Sequence, residues 1–194
     1  MKRIKSLAIA CMATMLALTS GCEKNSTAKP DTPAQEKPAE LSEAEILQQK
    51  VDAGDAEAIC RLGSLLLIGE GVDKNLEQGM QYIREAAELG VPFAQFAMGS
   101  AYMGVTYEGE TLPCEIDIEK GVDWHKKAAE QGFEASQVAL AKHYMELLIE
   151  DKGNPELIIQ TYTWVSKAAH QGNDWAMEML PAITQVMKLE GVSL

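Results

Sequence analysis

The run Trp124-His125-Lys126-Lys127-Ala128-Ala129-Glu130-Gln131-Gly132 is one of three versions of a single phrase in this chain. Tyr82, Trp124 and Trp164 each stand four residues before an alanine pair: Ala86-Ala87, Ala128-Ala129 or Ala168-Ala169. A glycine follows three residues after each pair, and these glycines, Gly90, Gly132 and Gly172, are spaced 42 and 40 residues apart. A fixed period of this length on helix-forming residues predicts a stack of like units in place of a single globular core.

Each unit reads as an αα-hairpin. Four residues after Gly54, Gly90, Gly132 and Gly172 come Ala58, Ala94, Ser136 and Ala176; eight after come Leu62, Met98, Leu140 and Leu180. Twelve after come Leu66, Tyr102, Tyr144 and Thr184, so the three offsets lie on one side of a 3.6-residue helix. At offset nine stand Gly63, Gly99, Ala141 and Pro181, and the small residues there let a partner helix approach closely. The second helix carries the aromatic and the alanine pair and stops at the next glycine.

Units of 54–89, 90–131 and 132–171 follow from this register, with caps at both ends. Ser42-Glu43-Ala44-Glu45 is a capping box that opens a helix over about 41–53, a half-repeat covering the first apolar face. Residues 172–194 form a closing half-repeat in which Pro181 predicts a kink or break near Leu180. The turns inside the hairpins differ. The first is Gly69–Asp73, the second a long acidic stretch from Gly104 to Asp117, and the third passes Asn154-Pro155, an N-cap followed by proline at N1.

The string A-x-x-x-L-G, then G-x-G-V, then (Y/W)-x-x-x-A-A-x-x-G resembles the Sel-one-like repeats, short α/α relatives of the tetratricopeptide repeats. Ala58, Leu62-Gly63, Gly69, Gly71-Val72, Tyr82, Ala86-Ala87 and Gly90 carry it almost fully. The second unit replaces the turn. The third departs most, with Ala141 for glycine and Thr161 where the others have Gly79 and Gly121. The resemblance covers about residues 54–180. It implies an all-α solenoid of three repeats with half-repeat caps, and an interaction scaffold that binds a protein partner.

Residues 1–21 have the plan of a secretory signal: Lys2, Arg3 and Lys5, an apolar run from Leu7 to Leu18, then Thr19-Ser20-Gly21 before Cys22. The apolar run is too short to span a membrane. Small residues directly before a cysteine resemble the lipobox of bacterial lipoproteins, with Thr19 where leucine is commoner, and this implies lipidation at Cys22. Glu23 holds position two, counting the cysteine as one, where aspartate in enteric lipoproteins directs inner-membrane retention, so the resemblance implies an outer-membrane anchor facing the periplasm. Residues 23–40 carry Pro30, Pro33 and Pro38 and no large apolar side chain, the composition of a disordered tether of roughly 20–30 Å.

Charge narrows the partners. The chain of 194 residues has a formal net charge of −12, and removal of residues 1–21 takes away three basic residues and no acid. Nucleic-acid binding needs clustered Lys and Arg, and is excluded on this count; a basic partner surface suits it. At 46% hydrophobic residues the rest of the chain has ample material for burial.

Catalytic and metal-binding patterns are missing from the sequence. His125, His143 and His170 have no histidine or cysteine companion at i+3 or i+4, and His125 replaces Ile83 and Val165 in the repeat register, as a partly buried packing residue would. Ser26 and Lys29 form S-x-x-K by chance in the tether, with no S-D-N or K-T-G partner. Glu108, Glu110, Glu115, Asp117 and Glu119 read as a solvated acidic face leading into a helix, not a Ca²⁺ loop. No cofactor is implied. Cys60 and Cys114, on the first helix of one repeat and the loop of the next, are either a disulfide pair or two free thiols.

Offsets three, six, ten and thirteen point away from the packing side of the first helices. There stand Leu67, Phe93, Phe96, Met103, Val138, Met145 and Trp175, where water alone would favour polar residues. Either the repeats curl enough to bury this face as core, or it is a concave apolar groove rimmed by acids, suited to a peptide or partner helix. The sequence thus points to a non-enzymatic, lipid-anchored repeat protein whose partner is a secreted toxin, making it an immunity protein, or an envelope protein. The rival is an envelope enzyme acting on peptidoglycan or β-lactams, which requires a positioned nucleophile.

Overall fold

A computed structural model describes residues 41–107 and 109–193. The expected leader, Cys22 and the tether lie outside these residues, as does Glu108. Eight α-helices account for the described fold: α1 (Glu43–Asp52), α2 (Ala56–Ile68), α3 (Leu76–Glu88), α4 (Pro92–Tyr102), α5 (Ile118–Glu130), α6 (Glu134–Glu150), α7 (Pro155–His170) and α8 (Asp174–Leu189). The extensive packing joins each helix to the next in sequence, the pattern of a quasi-one-dimensional stack.

The alanine pair and its glycine form one device. Gly90 has φ +97°, Gly132 +87° and Gly172 +90°, all left-handed. The Val91, Phe133 and Asn173 amides donate back to the first alanine of each pair, at 3.0, 3.0 and 3.1 Å. Those of Gly90, Gly132 and Gly172 donate to the second, at 3.1, 3.1 and 3.0 Å. These are the two hydrogen bonds of a Schellman stop, and they turn the chain sharply into the next repeat. The alanines themselves are almost completely buried in the first two pairs.

Starts are equally local. The Ser42 capping box is formed, and Asp55, Asn75, Asp117, Asn154 and Asn173 each accept backbone N–H bonds as N-caps. Glu115 and Ile116 precede α5 and are not its first turn; Asp117 caps it. Two starts have no side-chain cap: Val91 before α4 and Phe133 before α6.

Glycines set the approach of helices within a hairpin. A Cβ on Gly63 would lie 3.0 Å from the Gly79 carbonyl oxygen, and one on Gly121 would lie 3.0 Å from that of Gly99. Leu67 and Met103 fill the space over Gly79 and Gly121: a Cβ there would sit 2.8 Å from Leu67 Cδ2 and 2.6 Å from Met103 Cγ. Offset thirteen is therefore a packing position, contrary to its assignment to the free face. In the third hairpin buried Thr161 replaces the second glycine and donates its hydroxyl to the Leu157 carbonyl at 2.7 Å.

Of the kink or break expected near Leu180, the break does not occur. α8 runs unbroken from Asp174 to Leu189 with Pro181 inside it. Proline removes one N–H and its bond, but Ala176, Ile183 and Met187, spaced seven and four apart, all bury on one face of α8 and hold the helix through it. The core they join is the last of three apolar clusters that follow one another along the stack.

Candidate partner-binding face

Three phenylalanines meet where α4 faces the start of α6. The Phe93 and Phe96 ring centroids are 6.5 Å apart, and Phe133 lies 6.3 Å from Phe93 and 5.4 Å from Phe96. Phe93 is 46% exposed although it is a large apolar side chain. Phe133 escapes the register of the repeats, since it occupies the N-cap position. Its signal was chemical: a residue that cannot cap stands where Asp55 and Asn173 do cap.

The remaining residues assigned to this face divide. Leu67 is buried in the core cluster around Ile83 and Met98 and is not part of the outer aromatic surface. Met103 is half-buried against Gly121. Phe96, Val138, Met145 and Trp175 are half-buried. Val138 borders an open hollow of about 650 Å³ with Phe96, Phe133, Glu134 and Lys142. Lys142 Nζ stands 5.2 Å from the Trp175 ring centre, a cation over an aromatic face.

His125 supports the aromatic cluster from beneath. It is buried, not partly buried as its register suggested, and its ring lies 5.5 Å from Phe96. Nδ1 and Ser136 Oγ share a 3.2 Å hydrogen bond, which answers both buried polar groups. Burial, aided by His143, pushes the imidazole pKa down to about 4, so the ring is neutral at pH 7. A neutral, hydrogen-bonded histidine inside the stack is a packing group.

The acidic loop is tied down by lysines. Lys74 Nζ pairs with Glu110 at 2.9 Å, and Lys120 Nζ with Asp117 at 2.9 Å. The Lys120 bonds hold the Asp117 carboxyl below its usual range. Among the described residues no group of His, Cys, Asp or Glu converges as metal ligands would. Cys60 and Cys114 are both free thiols. Each packs in or against the same apolar cluster, and burial raises the Cys60 pKa to about 11.

Stacked αα-hairpins with a partly exposed aromatic strip define the class: an all-α repeat solenoid. The family model for the Sel1 repeat matches residues 56–91 and 92–133, the first two of the three hairpins. The crystal structure of a Sel1 repeat protein from Oxalobacter formigenes is 28% identical, covering 71% of this chain and 96% of that one at a TM-score of 0.56. A second similar structure is c5321, a protective antigen of uropathogenic Escherichia coli displaying an SLR fold. It is 28% identical over 78% of this chain and 37% of that one, at a TM-score of 0.48. No curated protein sequence matches. Sel1 repeat proteins commonly mediate protein–protein interaction and are typically non-catalytic.

Proposed function

We propose that this chain is a non-enzymatic lipoprotein, attached through Cys22 to the outer membrane and facing the periplasm, whose repeats dock a protein partner on the Phe93–Phe96–Phe133 face. The observation that carries the reading is the exposure of Phe93 beside two other phenylalanines. Covering one such side chain is worth about 1.5–3 kcal/mol, so a contiguous aromatic patch is a ready anchor for a partner. The signal-like residues 1–21, the small residues before Cys22 and the proline-bearing stretch 23–40 support the address.

The particular role we favour is immunity: capture of an antibacterial effector arriving in the periplasm. The acidic chain suits a basic effector, and a tether of roughly 20–30 Å suits a domain held clear of the lipid surface. The test is crosslinking of the full chain in its native envelope, read by mass spectrometry beside a Cys22→Ala form. One dominant toxin, lost from the membrane fraction with Cys22→Ala, supports the whole reading. Several envelope proteins in its place make the chain an adaptor and sink the immunity role; no protein, with a working control bait, sinks the docking function itself.

A further inference from the structure

Behind the phenylalanines lies an apolar cavity of about 190 Å³. Its walls come from α2, α3 and α4 and from the long turn after α4, with Leu67, Met80, Ile83, Phe96, Val105 and Leu112 among them. Among the described residues no lining side chain is charged at pH 7. Hydroxyl-bearing Ser64, Ser100, Thr106 and Tyr107 also line it. A cavity of about 150 Å³ walled by Leu, Ile and Phe accepts a benzene-sized group, so this one has room for one Phe, Leu or Met side chain.

The cavity is the middle of a track. Toward α1 it shares Ser64 and Phe93 with an open hollow of about 590 Å³, and toward α8 it shares Phe96 with the hollow over Val138. Charge is uneven along this track. In the α1-side hollow Asp55, Glu57 and Glu70 outnumber Lys50 and Arg61, and Arg61 Nε already donates to Glu43 at 2.7 Å. Among the described residues Glu57 and Glu70 make no ion pair.

The geometry points to a linear peptide segment of the partner as the occupant, with one large apolar side chain in the cavity and a Lys or Arg lying toward Glu57 and Glu70. This rests on the docking function proposed above and names its chemistry. The chain's own tether is a poor occupant, because residues 23–40 hold no large apolar side chain. A free small molecule would use the cavity and leave both hollows idle. An extended peptide uses all three, and the hydroxyls at the cavity can meet its backbone.

A phage-displayed library of random dodecapeptides, selected against the full chain in phospholipid nanodiscs, is the probe. Enriched peptides should share one Phe, Leu, Met or Trp position with a Lys or Arg within four residues. Ser100→Leu and, separately, Ala97→Leu fill the cavity and should weaken these peptides at least tenfold; Glu70→Lys should weaken them severalfold. Far-UV circular dichroism of each variant separates a filled cavity from an unfolded chain. Peptides that bind the well-folded filled variants unchanged overturn the proposal, as does enrichment without an apolar position, or a self-dimer that the same variants abolish. A library that yields no binder while envelope crosslinking still returns a protein overturns the peptide track and leaves the docking function standing. If crosslinking also returns none, the broader reading has failed.

Discussion

Gln131, at the end of α5, reaches back across the stack to Gln95 on α4: its Nε2 lies 2.8 Å from Gln95 Oε1 and 3.0 Å from the Gly90 carbonyl oxygen. Gln95 Nε2 in turn donates to the Ala87 carbonyl at 3.2 Å, in the helix before. One repeat on, the arrangement returns. Gln171 donates to Gln137 at 2.8 Å, and Gln137 to the Ala129 carbonyl at 3.1 Å. Each buried glutamine thus links the ends of two successive repeats, and the link uses the same alanine pairs that accept the Schellman bonds. An apolar core fixes distance loosely; a satisfied buried amide fixes register.

Replacing Gln95 by Ala should therefore cost more than its area suggests. The Ala87 oxygen loses a donor and the Gln131 amide a buried acceptor, so about 1–3 kcal/mol of stability should go. Urea unfolding of the purified chain measures it. A loss below about 0.5 kcal/mol would show that water replaces the link without penalty.

Gly99→Ala tests the close approach of α4 and α5. The new Cβ would sit 2.8 Å from the His125 ring, a buried ring held by Ser136 and Phe96. Overpacking of this kind costs about 1–3 kcal/mol, and Gly99→Leu should cost at least as much. The readout is the thermal midpoint. Gly71, with open space around its Cβ position but φ +70°, is the contrast in which backbone strain acts without a clash.

His125 also makes stability depend on pH. The unfolded imidazole takes up a proton below about 6.5, whereas the buried one resists until about 4. Between these values the unfolded state binds more protons, so stability is full above pH 6.5 and falls as pH drops toward 4. The fall is at most about 3 kcal/mol from this group. His125→Leu should flatten that window in urea titrations at pH 7, 5.5 and 4.5; an unchanged slope would assign the effect to other groups.

Two free thiols have different reactivity. Cys60 is buried with its pKa raised to about 11, and Cys114 is only half-buried, with a smaller upward push from burial that Arg84 opposes. Iodoacetamide on the native chain should label Cys114 first and Cys60 only after unfolding. An intact mass two hydrogens short, with neither thiol labelled, would mean that the two are bridged.

Phe93→Asp is the cleaner variant for the aromatic face. Phe96 touches His125 and is half-buried, so Phe96→Asp with Val138→Asp loses folding energy as well as surface. Phe93 is 46% exposed, and its replacement should leave helicity within a few per cent of wild type while crosslinking to the partner drops about tenfold or more. Unaltered crosslinking would move the partner off this face.

Much of the fold could be read from residues because its signals are local. The capping box at Ser42, Asn154 before Pro155, and the glycine three residues after each alanine pair act within one turn of helix. The candidate site was read less well. Leu67 and Met103 share the register of exposed positions but lean over Gly79 and Gly121, and the exposed register gave no hint of Phe133, which sits at a helix start. Pro181 is a strong local breaker, yet burial of Ala176, Ile183 and Met187 carries α8 through it.

Periodicity, caps and stops, all encoded over a few residues, were enough for the sequence alone to determine an all-α stack of hairpins. Tertiary structure decided which apolar side chains remain open, because exposure depends on what a neighbouring helix places opposite. Glycine opposite Leu67 draws it into the core, and a second helix start opposite Phe93 leaves it partly in water. The glutamine links and the apolar cavity belong to the same category, since each is built by residues from separate helices that only the packed stack brings together.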